Sequence, residues 1–559
     1  MSEKRYKWVA TGDINAFFGL MLDNLAGLVL TVSLLSTIFQ FPANFAFQYM
    51  IPGTAIGVMV GDLLFFVLAF IHAKKTGNTR VTAMPLGLDT PSTIGMCLFV
   101  LGPAFASMRN PAILKEAGLT ELGEGQSIKD IVASIPAETM QQIDFTAAHH
   151  TWQIGICAIF ISGVIKFACA FGSGWIRRVV PRAGLLGSLA AIAVVLIAFN
   201  PLVEICHIPV VGLVSLTMVL LTLIARVKLP WNIPGALGAV LVACAVYYLM
   251  MGVDQLANTS FITREALPFE TSDALMPSGW TTVFEFGWFT TENFQATAAY
   301  LPLIIPFAVA TVIGGIDCAE SAASVGDDFH TGTVIGVESI ATLAASICGG
   351  VIQTTPYIGH PAYKAMGGRA AYTLWTALLI GAAGLTGYFI FFYVYVPKVA
   401  IFSILIFIGI EITAQSFHVT PRRHFAALAI ACLPALAKLV MINQPQSQSA
   451  ETLQQLAGGF IITSLIWASA LAFIIDRKFY FAAAFFLAAM VCSLFGIIHS
   501  PLDGDQMFLI TQLEPEHKQS VLSFALGYFI VSGILFALPH VLEDVRPINS
   551  DEEFDKLSS

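Results

Sequence analysis

Residues Thr311–Arg369 read TVIGGIDCAESAASVGDDFHTGTVIGVESIATLAASICGGVIQTTPYIGHPAYKAMGGR, and this stretch decides the fold. It opens as an apolar span that carries Asp317 and Glu320 where lipid-depth residues belong. A second apolar span follows with Glu338, then the β-branched run VIQTTP, then a short helix-like piece ending at Gly367, Gly368 and Arg369. Carboxylates at membrane depth are costly and tend to mark ion or substrate pathways. Backbone broken by Pro and Gly is tolerated there only where it is buried in protein or lines a cavity. The stretch therefore predicts a transport site.

The rest of the chain fits a membrane setting. Of 559 residues, 57% are hydrophobic and 11% charged, with mean hydropathy +0.78. Soluble domains average about 25% charged residues, so the composition predicts an integral membrane protein in a lipid bilayer. No basic patch points to nucleic acid. The nine cysteines form no CxxC pair and suggest neither a metal site nor a disulfide frame. No cofactor is implied. MSEKRYKW is basic, but no small-residue cleavage site follows it, so a removed signal peptide is not expected.

Apolar stretches of roughly 20 residues, the length a bilayer core requires, fall at 14–38, 51–73, 84–106, 152–171, 183–200, 209–225 and 232–251 in the first half. The second half has them at 297–320, 333–350, 354–368, 371–395, 398–416, 421–442 and 456–475, with two more at 479–500 and 519–540. This divides the chain into 1–251 (first repeat), 252–296 (outside loop), 297–475 (second repeat) and 476–559 (two additional spans and a tail). Lys4, Arg5 and Lys7, Lys74, Lys75 and Arg80, Arg177, Arg178 and Arg182, Arg226 and Lys228, Arg369, Arg422 and Arg423, and Arg477 and Lys478 all fall in alternate loops. The positive-inside rule then places both termini in the cytoplasm, in the cell's inner (plasma) membrane. Lys398 is the main exception.

An odd number of spans per half makes the second repeat inverted relative to the first. Two internal matches agree. VTAMPLGLDTPSTIG (81–95) parallels VIQTTPYIGHPAYKAMGG (351–368), and VPRAGLLGSLAAIAVVLIAF (180–199) parallels VPKVAIFSILIFIGIEITAQ (396–415). Pro91 and Pro356 each remove a backbone donor and bias the preceding residue toward extended structure. The third and tenth spans are thus expected to be short strands running into half-helices, with the two helix N-termini aimed at one pocket. The fold class expected is an all-α polytopic membrane protein, a 7+7 inverted-repeat transporter with broken third and tenth spans and two extra C-terminal spans.

The sequence resembles the nucleobase–cation symporter 2 superfamily, the xanthine/uracil/ascorbate permeases, and looks closest to its adenine/guanine/hypoxanthine branch. Asp317-Cys318-Ala319-Glu320-Ser321 is similar to that branch's acidic eighth-span motif, with Gly326-Asp327 following. Glu338, TTPYIGHPAYKAMGGRAA, LPWNIPGALGAVLVA and LPALAKLVMI look like its ninth, tenth, seventh and thirteenth spans. The resemblance covers about residues 12–475. It implies a core domain (spans one to four and eight to eleven) moving against a gate domain (five to seven and twelve to fourteen). It also implies a homodimer, and a small-molecule substrate held by Glu320 between the third and tenth spans. One departure stands out. Where the family places Glu or Gln in the tenth-span half-site, Pro356 or Gly359 stands here. The same fold serves sulfate- and bicarbonate-type anion transporters, which leaves an anion open.

The candidate substrate-binding residues are Glu320, Thr355, Pro356, Tyr357, Asp89 and Thr90. The candidate coupling residues are Asp317, Glu338 and Asp23, and no metal ligand is assigned. Buried carboxyls are plausible proton carriers, and Asp317 shares a helix face with Glu320. Each has a plainer reading: Asp89 as a helix cap, Asp23-Asn24 as a helix–helix hydrogen bond, Glu338 as a tether within the core. Asp62 and Glu411 are further intramembrane acids. His360 is read as a satisfied interior histidine, and Lys166 and Lys438 as lysines that snorkel to the interface.

The leading expectation is a secondary active importer of a nucleobase-like substrate, coupled to H+, with Na+ as the other candidate ion. The alternative is a small-anion transporter or channel of the same fold. The core carboxylates weigh against an anion pore, which would favour Lys or Arg rings. No HExxH, GxSxG or P-loop motif is present, so neither an enzyme nor an ATP-driven pump is expected.

Overall fold

The computed structural model describes residues 6–558 except 120–127, 133, 226, 231–232, 258, 261, 263–275, 358, 444–449, 503–507, 509 and 543–545. Some helix side chains, those of Asp317 and Glu320 among them, also lie outside the described set.

Among the described residues, ten helices are long and apolar enough to cross a membrane. They are the first span (Gly12–Phe39), second (Ala43–Thr76), third (Thr90–Glu116), fourth (Ala137–Gly172), fifth (Arg182–Cys206), seventh (Gly235–Ala257), eighth (Leu301–Ala323), twelfth (Lys398–His418), thirteenth (Arg422–Met441) and sixteenth (His517–Val541). The eleventh is a pair, Ala371–Thr386 and Phe389–Tyr395, bent by 88°. Gly387, with φ 74°, makes that bend in a left-handed conformation that favours glycine. Shorter apolar helices form the sixth (Pro209–Ile224), ninth (Thr331–Ile347), fourteenth (Phe460–Ile475) and fifteenth (Phe479–Leu494) spans. The tenth is a three-residue strand and a six-residue helix, His360–Ala365. The architecture is all-α and polytopic, with the third and tenth spans each broken into a short strand and a helix. The tenth-span half-helix is short, as its sequence suggested, and closes at Gly367 (φ 85°) after less than two turns.

The chain forms two compact units: Met1–Phe171 with Ile205–Ile404, and Gly172–Glu204 with Leu405–Ser559. In the first unit, the first span is apolar on all sides and buried along most of its length, as a helix without a polar face must be. The second span carries Gly53, Gly57 and Gly61 at four-residue spacing, a small-residue ridge of the kind that lets membrane helices approach closely. A methyl group at Gly57 would lie 2.6 Å from the Ala345 Cβ of the ninth span, and one at Gly61 2.9 Å from the Ala341 Cβ. That close approach brings Asp62 to the broken third span.

In the second unit, the fifth, thirteenth and fourteenth spans pack through small residues, with Gly187 against Ala431 and Ala468. The two C-terminal spans pack on the fourteenth through Ile466, Ala489, Ile498 and Tyr528, with Trp467 donating to the Tyr528 hydroxyl at 2.9 Å. The sixteenth exposes Leu526, Phe529, Ile530, Ile534 and Phe536, an apolar face suited to lipid.

Candidate functional site

The centre of the first unit is a two-stranded antiparallel sheet, β1 (Leu86–Leu88) and β2 (Thr354–Pro356), one strand from each repeat. Leu86 pairs with Pro356, Gly87 with Thr355 and Leu88 with Thr354. The ladder continues at both ends, with the Tyr357 amide donating to Pro85 O (2.8 Å) and the Asp89 amide to Gln353 O (3.1 Å). Such a sheet has two open edges, and buried edges must find partners.

Side chains supply them. On the β1 edge, Asp62 Oδ1 accepts from the Leu86 amide (3.1 Å) and Asn24 Oδ1 from the Leu88 amide (3.1 Å). Asn24 Nδ2 also reaches Leu86 O at 3.4 Å, so its carboxamide mimics a third strand. On the β2 edge, Lys166 Nζ donates to Thr354 O (2.6 Å), and the Thr354 amide donates to Thr342 Oγ1 (3.2 Å). Ser162 Oγ donates to Gln353 Oε1 at 2.5 Å. Ser162 and Lys166 lie one turn apart on the fourth span, as do Glu338 and Thr342 on the ninth, so each helix turns one polar face to β2. From the eighth span, Cys318 Sγ reaches Pro356 O at 3.2 Å.

Lys166 and Glu338 form an ion pair, Nζ to Oε1 at 2.5 Å, with both side chains fully buried. Lys166 was expected to snorkel, but its amino group is held in the core by Glu338, Thr342 and the Thr354 carbonyl. Glu338 Oε2 has no hydrogen-bond partner among the described residues and lies against the eighth span. A methyl group at Gly315 would sit 2.6 Å from it. Asp89 is within Coulombic range of both Lys166 and Glu338.

The sheet gathers most of the residues singled out from sequence. Asp89 caps the third-span helix, with Oδ2 accepting from the Ser92 amide at 3.1 Å, and Thr90 begins that helix. Thr355 and Tyr357 are half-buried and Pro356 is buried in β2. Asp23 is half-buried, with Oδ2 3.5 Å from where a methyl group at Gly87 would stand. Asp317 and Glu320 lie on the same helix as Cys318, and their side chains lie outside the described residues. Glu411 is exposed and not gathered here. Sequence reading missed Lys166, Thr342, Ser162 and the edge-capping role of Asp62 and Asn24. The available signal was a lysine inside the apolar run ISGVIKFACAF (161–171).

A second polar cluster ties the ends of the broken spans together. Buried Asp327, in the turn between the eighth and ninth spans, accepts through Oδ2 from the Thr82 amide (3.1 Å) and pairs with Lys364 (2.7 Å) and His360 (3.0 Å). Burial pushes its carboxyl up, but the hydrogen bonds from His360, Lys364 and Thr82 outweigh that and hold it below the ordinary value. His360 is thus an interior histidine with a charged partner. Among the described residues, no three His, Cys, Asp or Glu side chains are placed to share a metal ion.

No family model and no curated protein matches the chain. Solved structures similar to it include the transmembrane domain of a cyanobacterium bicarbonate transporter, BicA, at 12% identity and TM-score 0.43, over 82% of this chain and 96% of that one. SLC26A9 aligns at 13% identity and TM-score 0.42, over 76% of this chain and 62% of that one. The murine Solute Carrier 26 family member A9 anion transporter, in its inward-facing state, aligns at 13% identity and TM-score 0.40, over 79% and 69%. The expected membership of the nucleobase permeases is thereby corrected, since these neighbours are bicarbonate and anion transporters. The geometry gives a physical reason for the correction. Pro356, where a base-binding side chain was expected, is a strand residue paired with Leu86, and Gly359 is the residue before a short helix. Neither offers a side-chain hydrogen bond to a heterocycle. By the number, length and apolarity of its helices, the chain is a multi-pass integral membrane protein.

Proposed function

We propose that the chain is a secondary active transporter of a small oxyanion, bicarbonate- or sulfate-like, working by alternating access, with the β1–β2 sheet as its substrate site. The observation that carries this reading is how the carboxylates around the sheet are engaged. Asp62 and Asp89 accept from backbone amides, and Glu338 is paired with Lys166. Their presence weighed against an anion when only the sequence was considered. Each of the three turns one oxygen toward a protein donor, which takes part of its acceptor capacity away from the pocket.

What lies beside the sheet instead is Thr90 and Thr355, the N-terminal end of the third-span helix and the buried Lys166 ammonium. Donors at a helix N-terminus beside a cation suit an oxyanion. Pro356 shapes the strand between Thr355 and Tyr357. Glu320 is proposed to meet the substrate together with a co-transported proton, with Asp317, Glu338 and Asp23 relaying charge, and Na+ as the alternative coupling ion. A homodimer with both termini in the cytoplasm belongs to the same proposal.

The test is uptake of labelled bicarbonate and sulfate into proteoliposomes under imposed H+ or Na+ gradients. Accumulation of one of them that collapses with the gradient is the expected result. A folded protein that moves an uncharged solute and neither anion would overturn the reading.

A further inference from the structure

We propose that Lys166 is a specificity-determining residue, the cation that sets the sign of charge the site accepts, and that Glu338 holds it in reserve until substrate arrives. This deepens the anion reading and rests on it. Three observations lead here. Lys166 is fully buried, and its amino group lies 2.6 Å from Thr354 O, next to Thr355. Among the described residues its ion-pair partner is Glu338 Oε1, and Glu338 Oε2 makes no hydrogen bond. The space for that second oxygen exists because position 315 is glycine.

A purely structural pair would be expected to satisfy the remaining oxygen, since a half-satisfied buried ion pair is a poor source of stability. An under-satisfied carboxylate holds its cation less firmly. The ammonium has three donors and currently uses Glu338, Thr342 Oγ1 and Thr354 O. Turning the Glu338-directed donor to an anion at Thr355 would exchange one charged partner for another without leaving Lys166 unpaired. Specificity then depends on Lys166 being present and Glu338 being able to release it.

The two partners give opposite expectations, which a structural pair would not. Glu338→Gln leaves Lys166 with its full charge for the substrate. The expected result is a KM for the transported anion lowered about tenfold, with kcat lowered as well because the anion leaves slowly. Lys166→Gln/Glu338→Gln is charge-balanced and keeps a donor for Thr354 O. It should fold with a near wild-type melting temperature yet raise KM about tenfold or abolish uptake.

Uptake kinetics in proteoliposomes, with thermal unfolding as the folding control, read both. A folded double variant with wild-type KM would overturn the role of Lys166, as would a Glu338→Gln variant whose KM rises. If Glu338→Gln does not fold, the double variant alone decides. Failure of the wild type to move any anion would instead sink the anion reading, and this proposal with it.

Discussion

Glu338 and Asp476 are both buried carboxylates bound to cations, and they differ in how fully they are satisfied. Glu338 has one lysine at 2.5 Å on one oxygen and, among the described residues, no hydrogen bond to the other. Asp476, at the end of the fourteenth span, binds Arg423 Nε and His424 Nε2 through Oδ1, each at 2.8 Å, and Lys478 through Oδ2 at 3.4 Å. Burial pushes the Asp476 carboxyl up, but His424 and Arg423 outweigh it and bring its pKa to about 2. The Asp476 cluster is a staple in which several donors converge on one anion. The Glu338 pair is minimal and sits beside a strand crossing at membrane depth. Fully satisfied networks rigidify, whereas partly satisfied ones are open to exchange. The contrast separates a fixed joint from a working one.

The largest effect that bears on this contrast is expected from Lys166→Met. It removes the lysine paired with a fully buried carboxylate and a donor from Thr354 O, a loss of about 3–5 kcal/mol by analogy with other broken buried pairs. A thermal unfolding scan in detergent should show a large fall in melting temperature together with loss of transport. A melting temperature within a degree or so of wild type would mean that Glu338 was never held as the geometry indicates.

Asp476→Asn should cost less, about 2 kcal/mol, and leave the anion KM unchanged, because the cluster belongs to the other compact unit. Its pH dependence has a definite sign. The folded-state pKa of Asp476 lies below the ordinary carboxylate value, so its stabilisation is complete above about pH 4 and is lost as pH falls toward 2. The gap in melting temperature between wild type and Asp476→Asn should therefore be full at pH 6 and shrink below pH 4. A gap that is the same at both would remove the ion pairs from the explanation.

How far this contrast could be read in advance depends on the element. The spans and the two broken ones were legible because bilayer length and Thr-Pro punctuation are local properties of the chain. Asp89 as a helix cap was one of two open readings, and its bond to the Ser92 amide realises it. Lys166 was not legible. Snorkelling depends on distance to an interface, but here the partner is Glu338, in the other repeat, and nothing near residue 166 announces it. The roles of Asp62, read as an intramembrane acid, and of Asn24, read as part of a helix–helix hydrogen bond, were hidden for a similar reason. Their partners are the free edge of β1, which exists only once β1 and β2 have paired. The short tenth-span helix was legible because Gly367 and Gly368 mark its end in the sequence, and Gly367 closes it in a left-handed conformation.

The smallest effect expected is at the rim of the Asp476 cluster, where Asp551 extends it to the C-terminal helix (Asp551–Ser558). Asp551 Oδ1 lies 2.8 Å from Arg423 Nη1, and Oδ2 accepts from the Arg422 amide at 3.1 Å. The Asp551 side chain is 38% exposed, so solvent screens the pair. Arg423 would keep Asp476, and the segment would keep the bond from the Ile548 amide to Asp476 O at 3.0 Å, with Ile548 itself buried. Asp551→Asn should therefore cost under about 1 kcal/mol, and the cost should shrink further at high salt. Melting temperatures of the two proteins at low and high ionic strength measure both. A loss as large as that of Asp476→Asn, and insensitive to salt, would mean that the C-terminal helix is a principal member of the joint and would move the boundary of the rigid cluster outward to include it.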